Sequence, residues 1–356
     1  MDINNRTHTQ GGQAAMGQLP EEGAKILGGS QSTKASLVKA IIADVLIAVL
    51  LLNVFALYYF LLPRDLGRGT RLLTALHGNG AQQQAVNGDI LQAGTLAQTQ
   101  ASRGEIQNWA QKFEGKFTDG SVEQTANVYR SANISVELEQ VQKDGVTYYV
   151  ADIYLADIQY FKTAFAQGKF GSGIHDTTDA IAKENGAVLA INGDYSGSNA
   201  GPVVRNGVLY RDELFEDALV MYDDGSMKAF TAQELDLQSE AEKGVWQVWT
   251  FGPMLLDHGQ PMETFNSTLG PKNPRTAIGY YEPGHYCFVV VDGRQPGYSD
   301  GYTLQEMSQL FAELGCAEAF NLDGGQSSEM AFAGKFVNRP YNGGRGTSDI
   351  VYITDK

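Results

Sequence analysis

Cysteine is scarce in this chain: Cys287 and Cys316 are its two thiols, too few for a disulfide framework, and their positions neither require nor forbid one bridge. Histidine is scarce as well. His8, His77, His175, His258 and His285 show neither metal-ligand spacing nor a triad order, and none is given a catalytic role. P-loop, GxSxG and HExxH patterns do not occur, which removes the commonest nucleotide, serine-hydrolase and zinc-protease signatures. Basic residues are outnumbered, 26 Lys and Arg against 41 Asp and Glu, for a net charge of −15. A body this acidic repels a phosphate backbone, so nucleic acid is not expected as a partner. No loop pattern supports a cation at Asp194, Asp292 and Asp323, and no metal or cofactor is expected. There is no internal repeat.

One long hydrophobic run is present. Ala40 to Leu62 (AIIADVLIAVLLLNVFALYYFLL) is apolar over enough residues to cross about 30 Å of hydrocarbon as a helix. Asp44 stands near one interface, and Tyr58 and Tyr59 suit the aromatic belt at the other. A secretory signal fits less well, because a long polar region precedes the run and Pro63-Arg64 follows it. Lys25, Lys34 and Lys39 on one side against Arg64, Arg68 and Arg71 on the other leave the orientation open. The segments expected are a flexible tail over 1–36, a transmembrane helix over 37–63, a polar Gln-, Ala- and Gly-rich stalk over 64–103, and a globular domain over 104–356.

Within that domain strand and helix signals alternate. Tyr148–Leu155, Ala187–Ile191, Leu219–Tyr222, Val245–Phe251, Thr276–Tyr281, Tyr286–Asp292, Ala317–Leu322 and Ile350–Ile353 are β-branched or aromatic runs bounded by turn residues. Helices are expected over Asp157–Ala166, over Thr177–Asn185 ahead of Gly186, and after two capping boxes, Thr231-Ala-Gln-Glu234 and Thr303-Leu-Gln-Glu306. The second box opens an amphipathic stretch with Leu304, Met307, Leu310, Phe311 and Leu314 on one face. The expected class is α+β, with mixed β-sheets, flanking helices and one preceding transmembrane helix.

Polar residues gather where strands end. Ala187–Ile191 runs into Asn192-Gly-Asp194, Tyr286–Val291 into Asp292-Gly-Arg294, and Ala317–Phe320 into Asn321-Leu-Asp323-Gly324-Gly325-Gln-Ser327-Ser328. Each Asn-Gly or Asp-Gly pair alone is an ordinary turn; three, each with a further functional group, indicate a site. Arg275, Arg294 and Arg345 also lie near strand ends. Guanidinium forks match phosphate oxygens, and the same groups would equally pair with Asp292 or Asp323.

Taken together, Asn192-Gly-Asp-Tyr195, Asn273-Pro-Arg-Thr-Ala-Ile-Gly279, Val291-Asp-Gly-Arg294 and Asn321-Leu-Asp-Gly-Gly-Gln-Ser-Ser328 resemble the phosphodiester glycosidase family, over roughly Tyr129 to the C-terminus. The resemblance implies hydrolysis of a sugar-1-phosphodiester in a glycan or envelope polymer by a membrane-anchored enzyme whose large domain lies outside the cytoplasm and whose tail lies inside. Asp323 and Asp292 are then the candidate catalytic carboxylates. Asn192, Asp194, Arg275, Arg294, Asn321, Gly324, Gly325, Ser327, Ser328 and Arg345 are the candidate substrate- and phosphate-binding residues. The pattern departs at Gln326, where the family commonly has a third glycine, and at Gly346-Thr-Ser after Arg345. A side chain at 326 narrows the loop, and a non-catalytic module binding anionic glycan in exopolysaccharide assembly or surface attachment is the competing expectation.

Overall fold

Every residue from Tyr286 to Val291 is buried, which a strand permits only when both faces of its sheet are covered. A computed structural model describes residues 29–58, 62–72, 109–265 and 267–356. Tyr286, Phe288 and Val290 face one core and Cys287, Val289 and Val291 another. This strand, His285–Val291, belongs to a nine-stranded sheet in which Glu318–Asn321 lies between Met254–Asp257 and Arg275–Glu282. A five-stranded sheet contains Ala187–Asn192 beside Asp349–Thr354, and a six-stranded sheet contains Val203–Arg205 beside Val245–Trp249.

The α+β class is observed, but every strand pair among the described residues is antiparallel where mixed sheets were expected. Short connections account for the hairpins among them. Ile134–Lys143 and Val146–Leu155 are joined by Asp144-Gly145, both at positive φ (51° and 76°), the geometry of a two-residue hairpin turn. All eight expected runs hold strands, although Val245–Phe251 stops at Trp249, Tyr286–Asp292 at Val291, and Ala317–Leu322 holds only Glu318–Asn321. The run Asp157–Ala166 is not the expected helix: after a 3-10 turn, Phe161–Phe165 is a strand whose Phe161, Thr163 and Phe165 are buried at period two, paired with Asp349–Thr354.

Helix Leu304–Leu314 carries the full capping box, with Thr303 and Glu306 bonded reciprocally, and ends at Gly315 with φ 81°. Its Leu304, Met307, Leu310 and Phe311 cover the outer face of the nine-stranded sheet, over Cys287 and Cys316, whose sulfurs stand 3.7 Å apart as free thiols. Helix Thr178–Glu184 covers the five-stranded sheet through Ile181 and Ala182. Thr231 N–H and Oγ1 both donate to Glu234 Oε2 while Glu234 N–H goes to Thr231 O, so only half of the box forms, around a turn, and the short helix nearby, Leu237–Ala241, is capped by Asp236 instead.

The chain divides into a unit ending at Leu61 and one running from Leu62 to Lys356. In the first, helix Gly29–Ala56 includes Leu37–Ala56, 20 residues of mean hydropathy 2.4, long and apolar enough to cross a membrane. The helix starts before residue 37, so residues 29–36 are helical rather than tail; the tail over 1–28 lies outside the described residues. In the second unit Arg64–Asp65 pairs with Gly171–Ser172, Thr70–Arg71 pairs with Val208–Arg211, and Leu72 is buried. The start of the expected stalk is therefore edge strand, because its backbone completes two sheets; 73–103 lies outside the described residues.

Candidate active site

The strand Glu318–Asn321 delivers Asp323 to the end of the nine-stranded sheet. Leu322 N–H donates to Thr276 O (2.8 Å), Asp323 N–H donates to Gly193 O (3.3 Å) and Gly325 N–H to Pro274 O (2.9 Å), so the loop is stitched to both neighbouring segments. Gly325 needs its φ of 66° for the turn. Asn192 clamps the two sheets with one amide: its Oδ1 accepts from Thr276 Oγ1 (2.8 Å) and Glu329 N–H (3.2 Å), and its Nδ2 donates to Asp323 O (2.7 Å). Asn321 Nδ2 donates to Gly252 O (2.8 Å). Both asparagines are buried and bond mainly to backbone, with the Thr276 hydroxyl as a side-chain partner of Asn192.

Arg345 closes the loop from the opposite side. Its Nη2 is 2.8 Å from Asp323 Oδ2 and its Nε donates to Ser327 Oγ at 2.9 Å. The Asp323 side chain is 7% exposed and that of Arg345 46%, so the carboxylate forms the floor and the guanidinium the mouth. The guanidinium lies 5.2 Å from the centre of the Tyr195 ring, and His175 stacks on that ring at 5.3 Å. Burial pushes the Asp323 carboxyl up, against the pull of Arg345 and of hydrogen bonds from Ser327 and the Gly324 amide. Burial and then Arg345 hold the His175 imidazole below its ordinary range, with Asp323 opposing. Gln326 Nε2 donates to Gly344 O (2.8 Å) and ties the glycine loop to the segment bearing Arg345.

The remaining expected site residues have other partners. Arg294, exposed, donates from Nε to Asn273 Oδ1 (2.9 Å), and its guanidinium lies over Gly325, where a Cβ would come within 3.3 Å of Nη1 and Nη2. Arg275 is buried, and it donates to three backbone carbonyls, those of Tyr302, Leu269 and Pro271, with burial lowering its pKa to about 10. Asp292 accepts from Tyr298 OH (2.8 Å), Arg339 N–H (3.0 Å) and Asn338 Nδ2 (2.9 Å). Ser328 Oγ is buried without a hydrogen-bond partner among the described residues.

Asp194 joins a buried triad that the sequence reading did not contain. Arg205 Nη2 stands 2.6 Å from Asp194 Oδ1 and 2.9 Å from Asp349 Oδ2, with both carboxylate side chains fully buried. Gly193 is required here, since a Cβ would meet the Asp349 carboxylate at 2.6 Å. Glu329 was also missed: its Oε1 accepts from Arg345 N–H (3.2 Å) and its Oε2 from Thr178 N–H (3.3 Å). Two cues existed, an arginine closing the apolar run Val203–Arg205 and an aspartate opening Asp349–Thr354.

Desolvation raises Glu329, Asp349 and Glu318 each to about 7, above the ordinary 4.5, 3.8 and 4.5. The folded state then keeps protons that the unfolded state releases, so the stability these groups add is complete below about pH 4 and is lost as the pH rises through about 7. The thermal midpoint of the folded unit is expected to fall between pH 5 and pH 8, as read by circular dichroism. A midpoint that rises over that interval would contradict this account of the buried carboxyls.

Residues 185–354 match the model of the phosphodiester glycosidase family. The SPbeta prophage-derived uncharacterized protein YomE of Bacillus subtilis (strain 168) is 36% identical over 185 residues, which is 49% of this chain and 29% of that protein, so the chain spans under a third of that relative. Among solved structures, the zebrafish N-acetylglucosamine-1-phosphodiester alpha-N-acetylglucosaminidase catalytic domain, auto-inhibited by its pro-peptide, has the same fold at a TM-score of 0.53 and 18% identity, over 66% of this chain and 88% of that one. The matched span holds Asn192, Arg275, Asp292, Asp323 and Arg345, so the part of this chain that carries the sheet-end loops is similar to the phosphodiester glycosidase family.

Proposed function

We propose that the chain hydrolyses a sugar-1-phosphodiester in a glycan or envelope polymer, breaking the bond between the anomeric carbon and the phosphate oxygen. The observation that carries this reading is the Asp323–Arg345 pair, with a sheltered carboxylate beneath a half-exposed guanidinium. Water supplies the oxygen that bonds to the anomeric carbon, and the phosphate departs with the electrons of the broken bond. Positive charge develops on the sugar ring as that bond stretches, and a carboxylate at the floor stabilises it or takes the proton of the incoming water. The phosphate leaves with its charge already delocalised, so a cation to bind it matters more than an acid to protonate it. Arg345 uses Nε and Nη2 on Ser327 and Asp323 and, with five donors in a planar fork, retains N–H groups for phosphate oxygens. Asp292, whose oxygens are all bonded to neighbouring loops, is assigned to support of the fold.

Full-length protein in detergent micelles is expected to release free sugar and a phosphomonoester from a model sugar-1-phosphodiester. Sugar phosphate as the product would mean that the other P–O bond is cut, and binding without turnover would point to a glycan-binding module. We further propose that helix Gly29–Ala56 anchors the chain with the folded unit outside the cytoplasm. Protease added to intact cells should then digest the folded unit, and full protection would place it inside.

A further inference from the structure

Beside the glycine loop opens a cleft of about 600 Å³ whose walls include Arg294, Tyr298, Arg339 and Tyr341. Arg294 lies 5.6 Å from the centre of the Tyr341 ring and Arg339 4.9 Å from that of Tyr298, so each guanidinium rests on an aromatic face. Neither arginine is ion-paired with a carboxylate among the described residues. In a chain of net charge −15, two such cations in one cleft create a local field opposite to that of the body. The walls are braced: Asp292 Oδ2 accepts from both Tyr298 OH (2.8 Å) and Arg339 N–H (3.0 Å), and Gln295 Nε2 donates to Arg339 O (2.8 Å). This bracing explains why Asp292 is buried and fully bonded. Another cleft of about 600 Å³, lined by Glu216 and Asp217 and by no Lys or Arg, has the opposite character. Arg294 links the basic cleft to the glycine loop, since it lines the cleft and its guanidinium lies 3.3 Å from where a Cβ on Gly325 would stand.

We infer that the cleft of Arg294 and Arg339 binds a second phosphate of the substrate, so that the substrate is a chain with successive phosphodiesters. This rests on the phosphodiester reading of Asp323 and Arg345 and adds the class of polymer to it. Planar guanidinium forks, held by stacking, match phosphate oxygens two at a time. An acidic body repels a polyanion in general, and a paired-arginine cleft is what lets one such chain dock in register.

The test uses full-length protein in detergent and a pair of model substrates, one with a single sugar-1-phosphodiester and one with a second phosphodiester on the leaving group. The second phosphate is expected to lower KM roughly tenfold, equivalent to about 1.4 kcal/mol, with the gain shrinking as NaCl is added. Arg339→Gln should cancel the gain while leaving KM and kcat on the single-phosphate substrate unchanged, and Arg339→Lys should recover part of it. Equal KM values for the two substrates in the parent, or a gain that survives Arg339→Gln, would overturn the inference. If neither substrate is cut, the hydrolytic reading fails on its own account, and titration with inorganic pyrophosphate decides the cleft. Binding weakened several-fold by Arg339→Gln supports the subsite, and equal binding in the two proteins rejects it.

Discussion

Asp323→Asn is expected to reduce kcat on a sugar-1-phosphodiester by roughly 10²- to 10⁴-fold, the range over which a positioned acid or base acts. The substitution is nearly isosteric, and an amide oxygen still accepts from Arg345 Nη2, which stands 2.8 Å from Asp323 Oδ2. What changes is charge. The developing cation loses its counter-charge, while Arg345 loses an internal anion and becomes freer for the substrate phosphate. KM should therefore hold or fall as kcat drops, a split that general damage to the loop does not produce. Asp292→Asn is the matched control. Its carboxylate holds Tyr298, Asn338 and the Arg339 backbone, so its loss should lower stability more than kcat. Equal kcat in the parent and Asp323→Asn would remove Asp323 from the chemistry.

The contrast between these two aspartates marks the limit of what residue order conveys. Both follow an apolar strand, and both are followed by glycine. Strand ends and Gly-rich loops were legible because backbone conformation follows locally from residue type, and the structure does bring Asp323, Ser327 and Arg345 together from that pattern. Which donors and acceptors are already occupied depends on segments distant in sequence, as with Asn338 for Asp292 or Tyr302 for Arg275. His175 was illegible for the same reason: its neighbours Tyr195 and Arg345 come from other loops. The eight strand runs were read correctly because their apolar runs persist over several residues, whereas Phe161–Phe165 was lost among polar residues until its pairing with Asp349–Thr354 exposed the period of two.

Arg205→Met should cost about 3–5 kcal/mol of stability, because removing one member of a buried ionic group leaves the others uncompensated. Here two carboxylates, Asp194 and Asp349, are left facing each other in a site with no water-exposed side chain atoms to screen them. The Thr250 N–H on Asp194 Oδ2 (3.0 Å) and the Ser348 hydroxyl on Asp349 Oδ1 (3.0 Å) remain, but they stabilise far less than a guanidinium. The sign of the pH dependence is fixed by the same argument. Asp349 already titrates at about 7 through burial and Asp194, and losing Arg205 raises it further, so the mutant's deficit should shrink at pH 5, where protonation relieves the pair, and widen at pH 8. Urea unfolding of parent and variant at both pH values measures this, and a deficit independent of pH would show that lost packing dominates. Substituting Asp194→Asn and Asp349→Asn together with Arg205→Met should restore most of the stability, since the repulsion is gone. Activity is expected to follow stability only in part: Gly193 O, adjacent to Asp194, accepts the Asp323 N–H, so loosening the triad shifts the carboxylate proposed to be catalytic.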